Sequence, residues 1–544
     1  MLLKLEQRRK DLMIVAILAT IVFNNCYNIS LFPDYFGDAG TYIGRAINFE
    51  KTLQVYQNPD YVDHPPLGWL ITSIVFWAIG FPDSIIHLTS KNLDEQVQTL
   101  VLIPRLIEAL FVAITSILIY KIAMKFYNDK NFAIMSLATF ALIPAIWSFR
   151  DLLLDPPMIM FVLLSLFFLV SNWTHKKENK ITSQKARRLQ SHQLMLSGWL
   201  FGIALLVKLT AIFFLPAILL FAMKYGSDQA PQKNTILSEQ DHTQNAIFEH
   251  VSFKQRIASG ILWTVPILAV LTLWMIYFLI SQHTLAHLIA TQIWQISRPN
   301  VIFYGVALPF LLIASPIGVI FGIFGLSTTL INRQKRLWGI LAVPYLGFLF
   351  RGGYVNWSHV LPLLPILSIY AGKPFHQLIL KIILTRNKRL EKNENTHDKI
   401  TIYFAVIVII ISLIVTLWIA SFDAGKSQRE AIQYLVNNLP KNSLLVTNLG
   451  YGWIIQAYRP DIMVVEVYTL MYMDKTPDSF YFAEKPNQPY DDPTVTQSEK
   501  IFEKSCIIKT FINNPTEYLH PYSTIQNGWW NVQVRHFSIK GCAP

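Results

Sequence analysis

Leu12-Met13-Ile14-Val15-Ala16-Ile17-Leu18-Ala19-Thr20-Ile21-Val22-Phe23 opens an apolar window that continues to position 31. A helix of roughly 20 apolar residues crosses the hydrocarbon core of a bilayer, so this window is long enough to span a membrane. Similar windows follow, and the chain is 53% hydrophobic and 15% charged, whereas soluble chains carry about a quarter charged residues. Lipid offers the backbone no hydrogen-bonding partner, and the windows lack the alternation of barrel strands. We therefore predict an α-helical polytopic membrane protein with roughly 10 to 13 membrane segments.

The distribution of positive charge predicts how the chain is oriented in the membrane. The formal net charge is +12, but the lysines and arginines concentrate in short loops between apolar windows. This bias is typical of cytoplasmic loops and argues against nucleic acid as a partner. Arg8, Arg9 and Lys10 precede the first window, and no small-residue cleavage site follows it. We therefore predict a cytoplasmic N-terminus and an uncleaved anchor in the cell (inner) membrane.

The basic loops also predict that two acidic segments share the extracytoplasmic side. The windows 132–149 and 156–172 flank a short acidic loop, and both have basic residues at their other ends. Asp155 is therefore expected on the same side as Asp38, which belongs to a predicted first outer loop, 32–103.

Two further segments are constrained by this topology. Residues 67–82 become a short juxtamembrane or re-entrant helix, because about 1.5 Å per residue gives them a length of only about 24 Å. Residues 197–223 have basic flanks at both ends, so they form two passes or a broken hairpin with Lys208 at the break.

The composition changes after residue 420. Many polar residues and turn formers follow, with an amphipathic stretch at 428–439 and short β-rich runs after it. We predict a membrane domain over 1–420 and a small extracytoplasmic α/β domain over 421–544. Cys506 and Cys542 both lie in the second domain, where oxidation is permitted, and the sequence leaves open whether they pair.

Two carboxylates are candidate catalytic groups. Asp38 is a candidate general base, because a carboxylate beside a low-dielectric wall is a stronger base than one in water. Asp155 starts an apolar window and is followed by Pro156 and Pro157. Each residue also has a simpler interpretation, as a solvated carboxylate or as a helix cap that favours the helix dipole. The sequence leaves these alternatives open.

Two basic residues are candidate phosphate ligands. His64 precedes two prolines, so it either meets an anion or belongs to a rigid turn. Lys208 lies within the apolar stretch 203–214. It either extends its ammonium group to the membrane interface or binds a phosphate at the break in the hairpin.

The remaining candidates lie near the ends of predicted spans. Arg351 and His359 flank a Gly-rich segment, where a lipid-phosphate contact competes with ordinary interfacial anchoring. Asp63 belongs to the same predicted outer face.

Recognisable metal or nucleotide motifs are absent from the sequence. His283 and His287 have the i, i+4 spacing of a zinc-protease helix, but the glutamate that completes that motif is missing. The sequence also contains no Gly-rich phosphate loop and no nucleophile elbow, which disfavours nucleotide-dependent chemistry.

Taken in order, these features resemble the GT-C membrane glycosyltransferases. The pattern consists of Asp38 and Tyr42 after the first window, then Asp63-His64-Pro65-Pro66-Leu67, and later the segments 150–157 and 202–208. It is most similar to the dolichyl-phosphate-mannose protein mannosyltransferase-like and lipid A aminoarabinose transferase-like group. The resemblance extends over about residues 1–375.

The resemblance implies an inverting hexosyl- or pentosyltransferase that moves a sugar from a polyprenyl-phosphate donor to an acceptor on the extracytoplasmic face. A protein, a lipid and a polysaccharide all remain candidate acceptors. The candidate positions are Asp38 and Asp155 for catalysis; Lys208, His64 and Arg351 for the donor phosphate; and Tyr42, Asp63, Tyr354 and His359 for other substrate contacts.

One position departs from the family pattern. Many members have an Asp-Glu pair in the first loop, whereas Ala39 follows Asp38 here. A second carboxylate could help to bind a divalent cation, so its absence leaves open whether this protein uses such a cofactor.

Two other classes of function remain open. In a transporter or flippase of a lipid-linked or sugar substrate, Lys208 and the carboxylates would line the transport path, and matching halves with interrupted helices are expected. In a non-catalytic membrane scaffold, changing Asp38 would have no effect on activity.

Overall fold

The fold is described from a computed structural model of the chain. The described residues are 2–35, 37–55, 64–88, 92–142, 149–171, 184–227, 253–280, 286, 288–291, 293, 311–312, 315–333, 335–350, 357–386, 394–447, 449–465, 477–484, 504–513 and 531–539.

Helices dominate the chain up to residue 420. They are α1 (Leu2–Cys26), α2 (Gly37–Thr52), α3 (Leu67–Ile79), α4 (Asp83–Leu88), α5 (Leu93–Tyr127), α6 (Lys130–Ala141), α7 (Asp155–Ser171), α8 (Gln184–Val207), α9 (Leu215–Ser227), α10 (Phe253–Ile280), α11 (Pro316–Ile331), α12 (Arg336–Ile340), α13 (Val343–Phe350), α14 (Leu363–Arg386) and α15 (Glu394–Ala420). Short 3₁₀ helices cover Leu209–Phe214 and Trp357–Val360.

Several of these helices suit a bilayer. Among the described residues, three helical segments are long and apolar enough to cross it, namely Leu93–Tyr127, Phe253–Ile280 and His397–Ala420. Large apolar side chains are exposed on them, including Leu273 and Ile414, at 62% and 60%. Exposed apolar rows of this kind are stable when lipid covers them. The predicted α-helical polytopic membrane class is confirmed.

Close helix packing uses small residues. Gly318, Gly322 and Gly325 lie on one face of α11, which packs against α14. A Cβ added at Gly325 would lie 2.1 Å from the carbonyl oxygen of Tyr370 in α14. Glycine at these positions lets the two backbones approach, as is common between membrane helices.

The C-terminal part forms a small α/β domain, also as predicted. Its elements are α16 (Lys426–Asn438), β1 (Leu444–Thr447), α17 (Leu449–Tyr458), β2 (Met463–Val465), β3 (Ser479–Glu484), β4 (Cys506–Ile512) and β5 (Asn531–Ser538). The sheet order is β2-β1-β3-β5-β4, with β1 parallel to β2 and β3, and β5 antiparallel to β3 and β4. Cys506 is disulfide-bonded and Cys26 is a free thiol, while Cys542 lies outside the described residues.

Two local features match the helix pattern predicted from the sequence. The short helix α3 ends at Gly80, which adopts the left-handed conformation and bonds back to the last turn. The apolar stretch after α8 is interrupted at Lys208, whose backbone is extended between α8 and the following 3₁₀ helix.

Candidate active site

A buried ion pair joins α7 to the break after α8. Lys208 Nζ lies 2.7 Å from Asp155 Oδ2, and the two side chains are only 7% and 2% exposed. Within the described part of the chain, Asp155 Oδ1 has no hydrogen-bond partner. Burying a charge is costly unless it is paired, so each residue stabilises the other. Lys208 is therefore buried beside Asp155 and does not extend to the membrane interface, while Asp155 binds it from the first turn of α7.

Local sequence explains where the pair forms. Pro156 and Pro157 fit the first turn of α7, where the backbone N–H groups have no intrahelical partner, so the helix starts at Asp155. Pro216 likewise fits the first turn of α9, which starts afresh at Leu215. The ammonium group of Lys208 thus lies at an irregular backbone segment between helices.

A narrow gap between side chains lies near the start of α7. Tyr42 of α2, Trp69 of α3, Leu154 and Pro157 are among the residues that line it. The rings of Tyr42 and Trp69 are nearly parallel, with centroids 6.3 Å apart. The His64 ring lies 6.0 Å from the Tyr42 ring. The structure therefore brings the candidates Tyr42 and His64 together, with Tyr42 at the same gap as Leu154.

Arg45 adds a positive charge to this aromatic group, since its guanidinium carbon lies 4.9 Å from the Trp69 ring centre. A cation over an indole face is attracted by the negative face of the ring system. The residue is 8% exposed.

His359 connects to Asp155 through Tyr345 of α13. The Tyr345 hydroxyl donates a hydrogen bond to the His359 carbonyl oxygen at 2.8 Å, and Tyr345 lies close enough to Asp155 to interact electrostatically with it. The hydrogen bond from Tyr345 to the His359 backbone thus holds this segment near the ion pair.

Asp38 lies in the first turn of α2 and is exposed. A carboxylate at this position favours the helix dipole. Asp38 and Tyr42 are four residues apart in the helix and therefore lie on the same face. Asp38 itself is exposed, whereas Tyr42 is buried and lines the gap.

A second group of buried charges was missed in the sequence. Arg105 of α5 lies 3.0 Å from Asp151, and Glu108, one helical turn later, is fully buried. The backbone N–H of Leu153 is the polar neighbour of its carboxylate, and Asp151 and Asp155 lie within its electrostatic range. Ionisable residues inside the apolar run around position 105 were the signal for this cluster.

Asp151 and its neighbour Arg150 lie in the loop before α7. Burial raises the pKa of Asp151 to about 7, and the positive charges of Arg105 and Arg150 oppose that rise. Arg150 donates hydrogen bonds to the carbonyl oxygens of Phe32 and Asn24.

Three candidates, Asp63, Arg351 and Tyr354, lie outside the described residues. Among the residues that the structure does describe, no group of three or more His, Cys, Asp or Glu side chains could hold a metal ion.

Comparison with known proteins agrees with this architecture. The family described as "Dolichyl-phosphate-mannose-protein mannosyltransferase" matches residues 44–252. No curated protein matches the chain.

Two solved structures share the fold at low sequence identity. One is ArnT from Cupriavidus metallidurans bound to undecaprenyl phosphate, with a TM-score of 0.54, 13% identity, and coverage of 97% of this chain and 99% of that one. The other is the oligosaccharyltransferase AglB from Archaeoglobus fulgidus in complex with an inhibitory peptide and a dolichol-phosphate. It has a TM-score of 0.54, 11% identity, and coverage of 88% of this chain and 69% of that one.

The chain is thus an integral membrane protein with the GT-C glycosyltransferase fold. Residues 44–252 are similar to the mannosyltransferase family and the fold is similar to that of ArnT, so the resemblance predicted from the sequence is confirmed.

Proposed function

We propose that this protein is an inverting glycosyltransferase that moves a sugar from a polyprenyl-phosphate donor to an acceptor at the extracytoplasmic face of the cell membrane. The family match and the structures of ArnT and AglB support a donor carried on a lipid phosphate. One observation carries the proposal: Tyr42, on the helix that bears Asp38, and Leu154, which precedes Asp155, line the same narrow gap between helices.

In the proposed reaction, Asp38 acts as the general base. It takes the proton of an acceptor hydroxyl while that oxygen attacks the anomeric carbon of the donor sugar. The bond between the anomeric carbon and the phosphate oxygen breaks on the opposite face, and its electron pair leaves with the lipid phosphate. Attack from one face and departure from the other invert the configuration at the anomeric carbon.

The developing charge on the lipid phosphate needs cations. An ammonium group has three N–H donors, and Asp155 accepts a hydrogen bond from Lys208. The other N–H groups of Lys208 are proposed to bind phosphate oxygens, with Asp155 holding Lys208 in position. His64 and Arg351 are proposed to share this role, since fixed positive groups in a site shielded from water stabilise such charge effectively.

Other parts of the chain are assigned by analogy to this scheme. Asp63, Tyr42, Tyr354 and His359 are proposed to contact the sugar. The apolar helices would hold the prenyl tail, and the C-terminal domain would shape the acceptor side.

Purified protein in lipid nanodiscs, incubated with radiolabelled polyprenyl-phosphate sugars and with peptide, lipid and polysaccharide acceptors, tests the function. Transfer of label to one acceptor class, with inverted anomeric configuration in the product, is the expected result. Label that stays on the prenyl phosphate but crosses the bilayer of proteoliposomes would contradict the proposal and indicate a flippase.

A further inference from the structure

A glutamine of the C-terminal domain holds the backbone just before the helix that carries Asp38. Gln428 of α16 is fully buried. Its Oε1 accepts a hydrogen bond from the Tyr35 backbone N–H at 2.7 Å, and its Nε2 donates one to the Tyr35 carbonyl oxygen at 3.0 Å. One side chain thus bonds both backbone groups of a residue that lies 393 positions away.

Neighbouring contacts strengthen this attachment. The backbone N–H groups of Ala424 and Gly425 donate to the Leu31 carbonyl oxygen at 3.0 and 3.3 Å. Arg429 binds Asp94 of α5 at 2.8 Å and both carboxylate oxygens of Asp423 at 2.7 and 2.6 Å. A bidentate guanidinium fixes geometry as well as charge, so the first turn of α16 is rigidly placed.

The same segment is held from its other side by the membrane helices. Arg105 donates to the carbonyl oxygens of Ile29 at 2.7 Å and Asp34 at 3.0 Å. Arg150 donates to that of Phe32 at 3.2 Å. Residues 29–35 therefore lie between two sets of hydrogen-bond donors, one from α5 and the loop before α7, and one from the C-terminal domain.

The C-terminal domain also contacts α2 itself. A Cβ added at Gly44 of α2 would lie 3.9 Å from the Cβ of Trp453 in α17. The Trp453 ring lies 6.0 Å from that of Phe81. The domain thus meets both the segment that leads into α2 and the body of the helix.

From these contacts we propose that Gln428 is a positioning residue for Asp38, and that the C-terminal domain aligns α2 for catalysis. This inference rests on the proposed function, because it assigns a task to the helix that bears the proposed base. Asp38 follows Tyr35 by three residues, so a shift of the Tyr35 backbone moves the start of α2. A general base works only within hydrogen-bond reach of its proton, and a displacement of about 1 Å can lower a rate about 100-fold.

The amide is the chemical feature that this position requires. A neutral primary amide offers a donor and an acceptor at once, which matches the N–H and C=O of one residue. Leucine offers neither, and an ionised glutamate offers only acceptors, one of which would face the Tyr35 carbonyl oxygen.

The first test compares Gln428→Leu with Asn437→Leu, which removes an exposed amide from the same helix. For Gln428→Leu we expect kcat to fall about 10- to 100-fold with little change in the KM for the lipid donor, and faster deuterium exchange in residues 31–45. Asn437→Leu should match the parent in all three measurements. Unchanged kcat and unchanged exchange in Gln428→Leu would overturn the inference.

Gln428→Glu provides a second variant that nearly preserves shape. Its protonated carboxyl has one donor and one acceptor, so kcat should approach that of the parent at low pH and fall, relative to the parent, as the carboxyl ionises. A ratio of kcat values that does not change with pH would contradict the positioning role, and this test also holds if Gln428→Leu fails to fold.

Failure of the proposed function is distinguishable from failure of this inference. If the parent transfers no sugar, the function is wrong, and the exchange rates of residues 31–45 alone decide whether Gln428 holds α2. If the parent is active and neither Gln428 variant alters kcat or exchange, the function stands and the positioning role is wrong.

Discussion

Lys208 Nζ and Asp155 Oδ2 lie 2.7 Å apart, although 53 positions separate the two residues in the chain. Both side chains are buried, and removing one partner of such a pair leaves an uncompensated charge. We expect Asp155→Asn and Lys208→Met each to lower the free energy of unfolding by about 3–5 kcal/mol.

The double variant Asp155→Leu/Lys208→Met serves as the control for this prediction. It has no unpaired charge, so thermal unfolding in detergent should show a smaller loss than the sum of the single losses. Strictly additive losses would contradict a direct pair. The double variant should still lack transferase activity, because Lys208 is proposed to bind the donor phosphate.

The contact between α11 and α14 predicts a sharp difference between two glycines. A Cβ at Gly325 would lie 2.1 Å from a backbone oxygen of α14, whereas a Cβ at Gly347 has nothing within 4 Å. Gly325→Ala should lower the free energy of unfolding by about 1–3 kcal/mol, because backbone must move. Gly347→Ala should be neutral or slightly stabilising through helix propensity. Equal unfolding temperatures for the two variants would show that the helices do not pack this closely.

Glu108 offers a test of the buried charge cluster. It is fully buried, and its polar neighbour is the backbone N–H of Leu153. A bare carboxylate is costly to bury next to Asp151 and Asp155, so the neutral amide of Glu108→Gln should preserve or raise the unfolding temperature. Glu108→Ala leaves a cavity and should lower it. A large loss in Glu108→Gln would indicate that the carboxylate has a cationic partner.

Asp151 predicts a pH dependence of stability. Its pKa is raised from 3.8 to about 7 by burial, against the opposing charges of Arg105 and Arg150. Between these values the folded protein holds a proton that the unfolded chain releases, so this contribution to stability falls as pH rises from about 4 to about 7. Above about pH 7 it is constant.

Unfolding temperatures of the parent and of Asp151→Asn across this pH range measure that contribution. The unfolding temperature of the parent minus that of Asp151→Asn should decrease with rising pH. Asp83→Asn, a change at an exposed carboxylate, provides a control. A difference that stays constant or grows with pH over this range would mean that Asp151 is ionised in the folded protein, in its pair with Arg105.

The sequence was most informative where one physical constraint dominates. Lipid exposure forces long apolar helices. The basic residues at both ends of the segment 197–223 predicted a break at Lys208, and the structure shows a break there. Apolar periodicity carries no information about which distant charges meet. The Asp155–Lys208 pair, the Tyr42–Trp69 stack and the Gln428 contact with Tyr35 depend on tertiary packing between segments far apart in the chain.

The buried charges of α5 show a different limit. Arg105 and Glu108 are visible as ionisable residues inside an apolar run, yet the sequence does not show that Arg105 pairs with Asp151. The positions of Asp63, Arg351 and Tyr354 remain sequence predictions, as does their role in substrate binding.

Sugar transfer by Asp38→Asn tests the central claim most directly. The substitution removes the proposed base while preserving size, and Asp38 is exposed, so the fold should be retained with only the small loss of stability expected from removing a charge at a helix N-terminus. We predict that transfer from a polyprenyl-phosphate sugar falls at least about 100-fold while the unfolding temperature falls only slightly, as expected for loss of a general base. Asp83→Asn, in another exposed acid, should retain parental activity. Transfer at the parental rate by Asp38→Asn would contradict the account.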